Sequence, residues 1–178
     1  MKTSICLLSL AFLLLTSCAT TPINPRLSGQ DLQETAVILI QLPSDQDHLN
    51  QKIQSTFQSQ FDFCPTYFFR SEEAIKIQQG HLGKVNLVDT NNQKIKIESI
   101  KGKDLIVGKF GSLDDNQFYE TSANQDRSDI SQLFNFVLMD QNFVPIYNIQ
   151  LCKSSSNKLK TMTRQLTQTL YKISMLSV

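Results

Sequence analysis

The sequence has neither a large excess of one charge nor a basic stripe. Its 178 residues include 17 Lys or Arg and 16 Asp or Glu. Residues 1–17 contain one of those basic residues, Lys2, and no acidic residue, so the chain from Cys18 onward carries 16 of each sign. Proteins that bind nucleic acid show a basic excess or a basic surface, and electrostatic membrane binding uses a polybasic cluster. The charge balance therefore predicts no nucleic-acid partner and no polybasic membrane patch.

The sequence also has no hydrophobic run long enough to cross a bilayer. The apolar stretch Ile5–Leu15 has 11 residues, whereas a spanning helix needs ~20. It follows a single positive charge at Lys2, which is typical of a secretory signal. The stretch ends in Leu15-Thr16-Ser17-Cys18, which resembles the lipobox of bacterial lipoproteins.

The lipobox resemblance implies a lipid anchor at Cys18. It implies attachment of diacylglycerol to the thiol, removal of the signal peptide 1–17, and acylation of the new amino terminus. Because each buried CH₂ contributes ~0.8 kcal/mol, three acyl chains would hold the protein at the membrane permanently. Ala19 follows Cys18, which in the enteric sorting scheme implies the outer membrane, facing the periplasm. An ordinary signal peptide with a coincidental cysteine is the alternative.

The rest of the chain has the composition of one globular domain. Apolar residues make up 40% of the sequence and charged residues 19%, a globular balance. Residues 18–33 contain two prolines, one glycine and little apolar periodicity. They predict a flexible tether with a reach of roughly 20 Å. Residues 34–178 are then a single domain without internal repeats.

The order of the predicted elements indicates an α+β fold. The apolar run 36–40 predicts a buried strand, and apolar residues every four positions over 49–61 predict a helix. We predict a mixed, mostly antiparallel sheet with helices packed on it, an opening parallel β-α-β unit and a C-terminal helix. The polar stretch 113–132 is predicted to be a long loop, either mobile or functional. Further strands are predicted at 63–70, 85–89, 94–98, 105–110, 133–139 and 143–152.

Two cysteines, Cys64 and Cys152, remain in the folded part, because Cys6 lies in the signal and Cys18 is the anchor. An even pair in an exported chain predicts one disulfide, which would contribute roughly 4–5 kcal/mol in the chain-entropy model. Two unpaired buried thiols are one alternative. A catalytic or metal-binding thiol is the other, although there is no C-x-x-C and no histidine at metal-motif spacing.

Sequence motifs of catalytic chemistry are missing from the chain. It contains no G-x-S-x-G, H-E-x-x-H, P-loop or dinucleotide fingerprint, each of which carries a defined chemistry. We therefore predict no catalytic residue, no metal and no cofactor. An enzyme remains an alternative, in which Cys64 and His81 would form a nucleophilic pair.

Five aromatic residues lie within nine positions: Phe61, Phe63, Tyr67, Phe68 and Phe69. On an extended segment they must divide between two faces, of which one is core. The other face is either core beneath a second layer or an exposed patch at Tyr67, Phe68 and Phe69 that binds a ligand or partner.

These observations favour a non-catalytic accessory lipoprotein that docks on another protein of the cell envelope. The first alternative is a small-molecule or lipid-binding module that uses the segment Phe61–Phe69. The second alternative is an envelope enzyme. The basic residues of the C-terminal helix either form a solvated face or contact anionic lipid or an acidic partner; they are Lys153, Lys158, Lys160, Arg164 and Lys172.

Overall fold

The strands form one mixed sheet in the order β1-β6-β5-β4-β2-β3. β2 pairs in parallel with β3 and β4, and the other neighbours are antiparallel. This arrangement confirms the predicted α+β class with a mixed, mostly antiparallel sheet. The computed structural model describes residues 20–22, 32–43, 47–111, 135–150 and 157–175. The strands are β1 (Thr20–Pro22), β2 (Ala36–Leu42), β3 (Thr66–Arg70), β4 (Asp104–Phe110), β5 (Asn135–Met139) and β6 (Pro145–Gln150).

Helices connect and cover the strands. β2, α2 and β3 form the predicted parallel β-α-β unit, and α4 is the predicted C-terminal helix. In the part of the chain that is described, no helix combines the length and hydropathy of a membrane span. The helices are α1 (Leu32–Thr35), α2 (Asp47–Gln60), α3 (Ala74–Gln78) and α4 (Lys158–Met175), with 3-10 turns at Ser71–Glu73, Leu82–Lys84 and Ile97–Ser99.

One face of the sheet packs against α2 and α4. Ile38 and Ile40 of β2 lie in this first core layer with Phe57 of α2 and Leu166 of α4. The apolar residues of both helices recur every three or four positions, so each helix presents one apolar stripe to the sheet. The two stripes therefore account for why α2 and α4 lie side by side on the same face.

The opposite face of the sheet is covered by the segment 71–103. Val37 and Leu39 of β2 lie in this second core layer with Leu87 and Ile100 of the covering segment. Every residue of β2 is buried, which explains why the strand is a continuous apolar run instead of an alternating one.

The segments 85–89 and 94–98 are not strands, so that part of the prediction is wrong. Val88 makes single bridges to Phe68, on the outer side of β3, and to Lys94. The alternating apolar residues of both segments pack into the second core layer. The two segments lie over a face of the sheet and not within it. Their alternating pattern therefore marks buried side chains and does not lead to continuous strand pairing.

Parts of the predicted tether, 18–33, belong to the folded domain. β1 pairs with β6 at one edge of the sheet, and Leu32 is fully buried in the first core layer. The domain therefore begins before residue 34, and the intervening stretch 23–31 lies outside the described residues. Other predicted features also lie outside them: the signal 1–17, Cys18, the loop 113–132 and Cys152.

Candidate ligand-binding cleft

A cleft of about 410 Å³ opens beside the end of β3. β2, β3, β4 and β6 run in the same direction, so their carboxyl ends lie together at one end of the strands. We call this end of the sheet the carboxyl edge. The cleft lies at this edge, between α2 on one side and residues 86–92 on the other. Its volume is in the range of sites that hold small molecules. Five of its lining residues carry side-chain amides: Asn50, Gln51, Gln54, Asn86 and Asn92.

Helix α2 places two buried amides on the cleft wall. Asn50 and Gln54 are four residues apart and so lie one turn above the other on the same side of the helix. Asn50 Nδ2 donates to Pro43 O at 2.9 Å, and Gln54 Nε2 donates to Asp89 O at 3.4 Å. These two bonds tie α2 to the chain on either side of the cleft and fix the orientation of both amides.

Asn50 Oδ1 is buried and has no hydrogen-bond partner among the described residues. The residue is only 5% exposed. Asn50 Nδ2 donates to the Pro43 carbonyl. If the amide were flipped, Oδ1 would face that carbonyl and two acceptors would meet. Oδ1 therefore faces away from Pro43. An unpaired buried acceptor costs ~1–3 kcal/mol. Native proteins rarely leave such an atom without a partner. Because the atom is buried, a molecule in the open cleft does not reach it as Asn50 is placed.

The charged residues of the cleft combine one guanidinium with several carboxylates. Arg70 Nη2 contacts Asp47 Oδ1 at 3.3 Å, and the two side chains are 53% and 78% exposed. An ion pair this exposed contributes little to stability and can exchange for a ligand. Glu73 is buried, and both of its carboxylate oxygens accept from Lys76 Nζ at 2.9 Å. The charge of Glu73 is therefore compensated, while Arg70 and Asp47 face solvent at the mouth.

The aromatic residues Tyr67, Phe68 and Phe69 do not form an exposed patch. Phe68 is buried in the first core layer and Phe69 in the second, as expected for adjacent residues of a strand covered on both faces. Tyr67 is half-buried against the second layer. Phe68 and Phe69 nevertheless line the cleft. The segment thus adjoins a ligand-sized space, although its rings are core.

Sequence reasoning missed Asn50, Gln54 and Arg70. The sequence holds only a weak indication that the two amides are buried. Asn50 directly follows Leu49, and Gln54 directly follows Ile53, both apolar residues of the α2 stripe. Such positions flank the buried side of a helix. Amides are abundant in this chain, however, and nothing local distinguishes these two from the solvated ones.

Cys64 is a free thiol buried in the first core layer. Burial raises its pKa to about 12, and a hydrogen bond with the Ile38 backbone opposes this only in part. Because the thiolate is the nucleophile, this thiol is unreactive at neutral pH. His81 follows α3 on the opposite face of the sheet, next to residues of the second layer. The sheet therefore separates the two members of the predicted nucleophilic pair.

The described residues also bear on the predicted Cys64–Cys152 disulfide, although Cys152 itself lies outside them. β6 ends at Gln150, four strand positions away from β3, which corresponds to about 19 Å at ~4.8 Å per strand. Gln150 is at the carboxyl edge, and Cys64 precedes β3 at the opposite edge. Two residues span at most ~7 Å, and a disulfide needs Cα atoms within ~7 Å. This geometry favours a reduced Cys64.

We expect native Cys64 to resist alkylation and to react only after unfolding. Iodoacetamide labelling with and without urea, followed by peptide mass mapping, measures this. Below pH 9.0, its ordinary pKa, the thiol is protonated both folded and unfolded; as the pH rises toward 12, only the unfolded thiol ionises. Its contribution to stability is therefore lost across that range. A Cys64–Cys152 peptide in unreduced protein would contradict the expectation.

Comparisons with protein-family models, curated proteins and solved structures give no match to the chain.

Proposed function

We propose that this protein is a lipid-anchored protein of the bacterial envelope that acts by binding a small polar ligand in the cleft. The observation that carries the proposal is the cleft of about 410 Å³, which is lined by five side-chain amides and by the exposed guanidinium of Arg70. Side-chain amides both donate and accept hydrogen bonds, so these lining residues suit the polar groups of a small ligand. The ligand would also be held by Arg70 at the mouth.

The structure offers no support for catalysis by the residues that the sequence singled out, and it therefore favours ligand binding. The Cys64 thiol is protonated and buried in the first core layer. Asn50 and Gln54 are amides, which orient ligands but do not titrate. The cleft thus supports the ligand-binding alternative, with its contacts made by α2 and Arg70 in place of exposed aromatic rings.

We expect the protein purified from membranes to retain a small molecule that the Asn50→Ala variant loses. Native mass spectrometry of the detergent-extracted protein measures the bound mass. Arg70→Gln serves as a second variant, because Arg70 is exposed and its loss should leave the fold intact. Asn142→Ala is the matched control, since Asn142 is an exposed asparagine outside the cleft. Equal ligand content in all four proteins would refute the proposal.

The anchor is proposed from the lipobox at Cys18. Acylation there would place the domain at the outer membrane, facing the periplasm. We expect Cys18→Ser to lose the mass of the acyl chains and to move from the membrane fraction to the soluble fraction. Intact-mass measurement and fractionation test this, and a Cys64→Ser variant should stay in the membrane. A wild-type protein without added lipid mass would show that Cys18 is not acylated.

Docking on another envelope protein is the second candidate function. Tyr171 and Met175, four residues apart on the last turns of α4, are 38% and 70% exposed, and paired apolar residues of this kind occur at protein contacts. A photo-crosslinking residue at position 175 should capture one reproducible envelope protein. The same probe at exposed Lys101 should not capture it.

A further inference from the structure

Helix α4 begins at the carboxyl edge and ends at the opposite edge of the sheet. Near its end, the Tyr171 ring contacts the Phe63 ring with centroids 4.8 Å apart, and Tyr171 Oη accepts from Gln33 Nε2 at 3.1 Å. Phe63 and Gln33 precede β3 and β2, so this end lies opposite the carboxyl edge. The first turns are packed in the first core layer through Leu159 and Met162. The helix, about 27 Å long, therefore crosses the sheet and starts at the carboxyl edge.

The earlier part of α4 lies on the β6 side of the sheet. α4 contacts β6, which is four strand positions from β3. Because the end of the helix lies beside Phe63, just before β3, the contact with β6 belongs to the earlier turns. The helix thus begins at the corner where β6 reaches the carboxyl edge.

The helices of the first face carry an excess of positive charge, although the chain as a whole is nearly balanced. α2 and α4 together contain five basic residues and one acidic residue. The acidic residue is Asp47, which is ion-paired with Arg70 at the cleft. Lys160 and Arg164 lie one turn apart at the beginning of α4, and both are exposed. Neither forms an ion pair within the part of the chain that the structure describes.

The start of β1 lies at the same corner of the domain. Thr20 pairs with Ile149, which is the last residue but one of β6. Cys18 is two residues before Thr20, a reach of at most ~7 Å. If Cys18 is acylated, as the proposed function holds, its lipid chains leave the protein within that distance of β1. We call Lys160, Arg164 and the start of β1 the basic corner.

The short connection to the anchor decides which way the domain rests on the membrane. A helix with its side chains is about 10–12 Å thick, and α4 covers the face of the sheet from which β1 starts. A domain lying flat on α4 would require the anchor to reach past this helix, which exceeds ~7 Å. The domain can rest on the basic corner, with the end of α4 directed away from the bilayer.

We propose that the basic corner is the membrane-contacting surface of the anchored domain, where Lys160 and Arg164 bind the phosphates of anionic lipids. The acyl chains hold the protein at the membrane, and the two cations set its orientation. A bilayer is favoured over an acidic protein as the partner, because the anchor keeps the bilayer next to this corner at all times. The exposed residues Tyr171 and Met175 then lie away from the membrane, where another envelope protein can reach them.

Removing the two charges tests the lipid contact without the anchor. The mature chain 18–178 with Cys18→Ser retains every described element and carries no acyl chain. In sedimentation at ~0.1 M salt, it should bind vesicles that contain phosphatidylglycerol more tightly than vesicles of phosphatidylcholine alone. Lys160→Gln combined with Arg164→Gln should weaken binding to the anionic vesicles at least about tenfold, since each cation near such a surface contributes about fivefold.

Lys84→Gln combined with Lys94→Gln is the matched control. Both lysines are exposed on the opposite face of the domain, beside a groove lined by residues 83–86 and 94–98, so the net charge falls by the same amount. Binding should change by less than about twofold, because charges more than ~10 Å from the lipid are screened. An equal loss for both pairs would overturn the proposal. Equal binding of the parent chain to the two kinds of vesicle would do the same.

Spin labels on the acylated protein test its orientation. Asn157→Cys, Gln168→Cys and Met175→Cys keep both cations, and all three positions are exposed. A Cys152→Ser background leaves Cys64, which is buried. The first and last positions are about 25 Å apart along the helix. A paramagnetic chelate on the lipid head groups should relax the label most at 157, less at 168 and least at 175. Equal relaxation at 157 and 175, or the reverse order, would overturn the proposed orientation.

The two experiments separate this inference from the anchor on which it rests. Acyl mass on Cys18 together with equal relaxation along α4 would keep the anchor and refute the basic corner. A wild-type protein without acyl mass would refute the anchor, and the charge variants, which are compared without acyl chains, would still decide whether the basic corner binds anionic lipid.

Discussion

Replacing Phe57 with alanine should lower the free energy of unfolding by about 3–5 kcal/mol, the usual cost of truncating a buried phenylalanine. Phe57 is 1% exposed. Its ring contacts the rings of Phe61, Phe68 and Phe136, with centroids 5.5, 5.8 and 6.5 Å away. It therefore joins α2 to β3 and β5, and its removal leaves a cavity between the helix layer and the sheet. Urea unfolding of the mature chain followed by circular dichroism measures the change.

Phe61→Ala is the matched control for this prediction. Phe61 lies four residues further along, immediately after the end of α2, and is only partly buried against the same core layer. Its truncation should cost about 1 kcal/mol or less, because little apolar area leaves the interior. If the two variants lost equal stability, Phe57 would not be the residue that joins α2 to the sheet.

Adding a single methyl group at Gly108 should also destabilise the fold, by about 1–3 kcal/mol. Gly108 lies in the middle of β4, and a Cβ there would be 2.5 Å from Phe136 Cζ and 2.9 Å from Ile40 Cδ1. The Phe136 ring cannot easily withdraw, because the Phe110 ring packs against it with centroids 5.0 Å apart and the Phe57 ring also contacts it. The glycine is therefore needed for space, and thermal unfolding of Gly108→Ala measures its effect.

Gly83→Ala provides the comparison for this substitution. A Cβ at Gly83 meets no atom within 4 Å, and its backbone is not in the left-handed region. The same change there should be neutral or slightly stabilising, because alanine restricts the unfolded chain. A Gly108→Ala protein as stable as Gly83→Ala would mean that the side chains of Phe136 and Ile40 can move aside at no cost.

Local sequence patterns were enough to predict the helices and strands whose apolar residues recur with one clear period. The apolar run of β2 and the four-residue stripe of α2 are visible in the sequence because each period is set by backbone geometry alone. The α+β class and the C-terminal helix followed from the order of such elements. The lipobox is also local, which is why the anchor at Cys18 could be proposed without any fold.

Period alone could not decide the segments 85–89 and 94–98. Their alternation is real, but it serves to cover the second face of the sheet, and only Val88 pairs with β3. Alternation shows which side chains are buried and does not show whether a neighbouring backbone is available. Such pairing depends on long-range contacts, which context overrides more readily than helix propensity.

The sequence by itself determined the fold class, the main helices and the charge balance, because these depend on composition and on local periodicity. Only the tertiary structure decided that β1 joins the sheet, that Cys64 lies far from the end of β6, and that Asn50 Oδ1 is buried without a partner among the described residues. Each of these depends on which residues distant in the chain become neighbours. A buried amide without a partner is a property of its surroundings, and no spacing in the sequence records it.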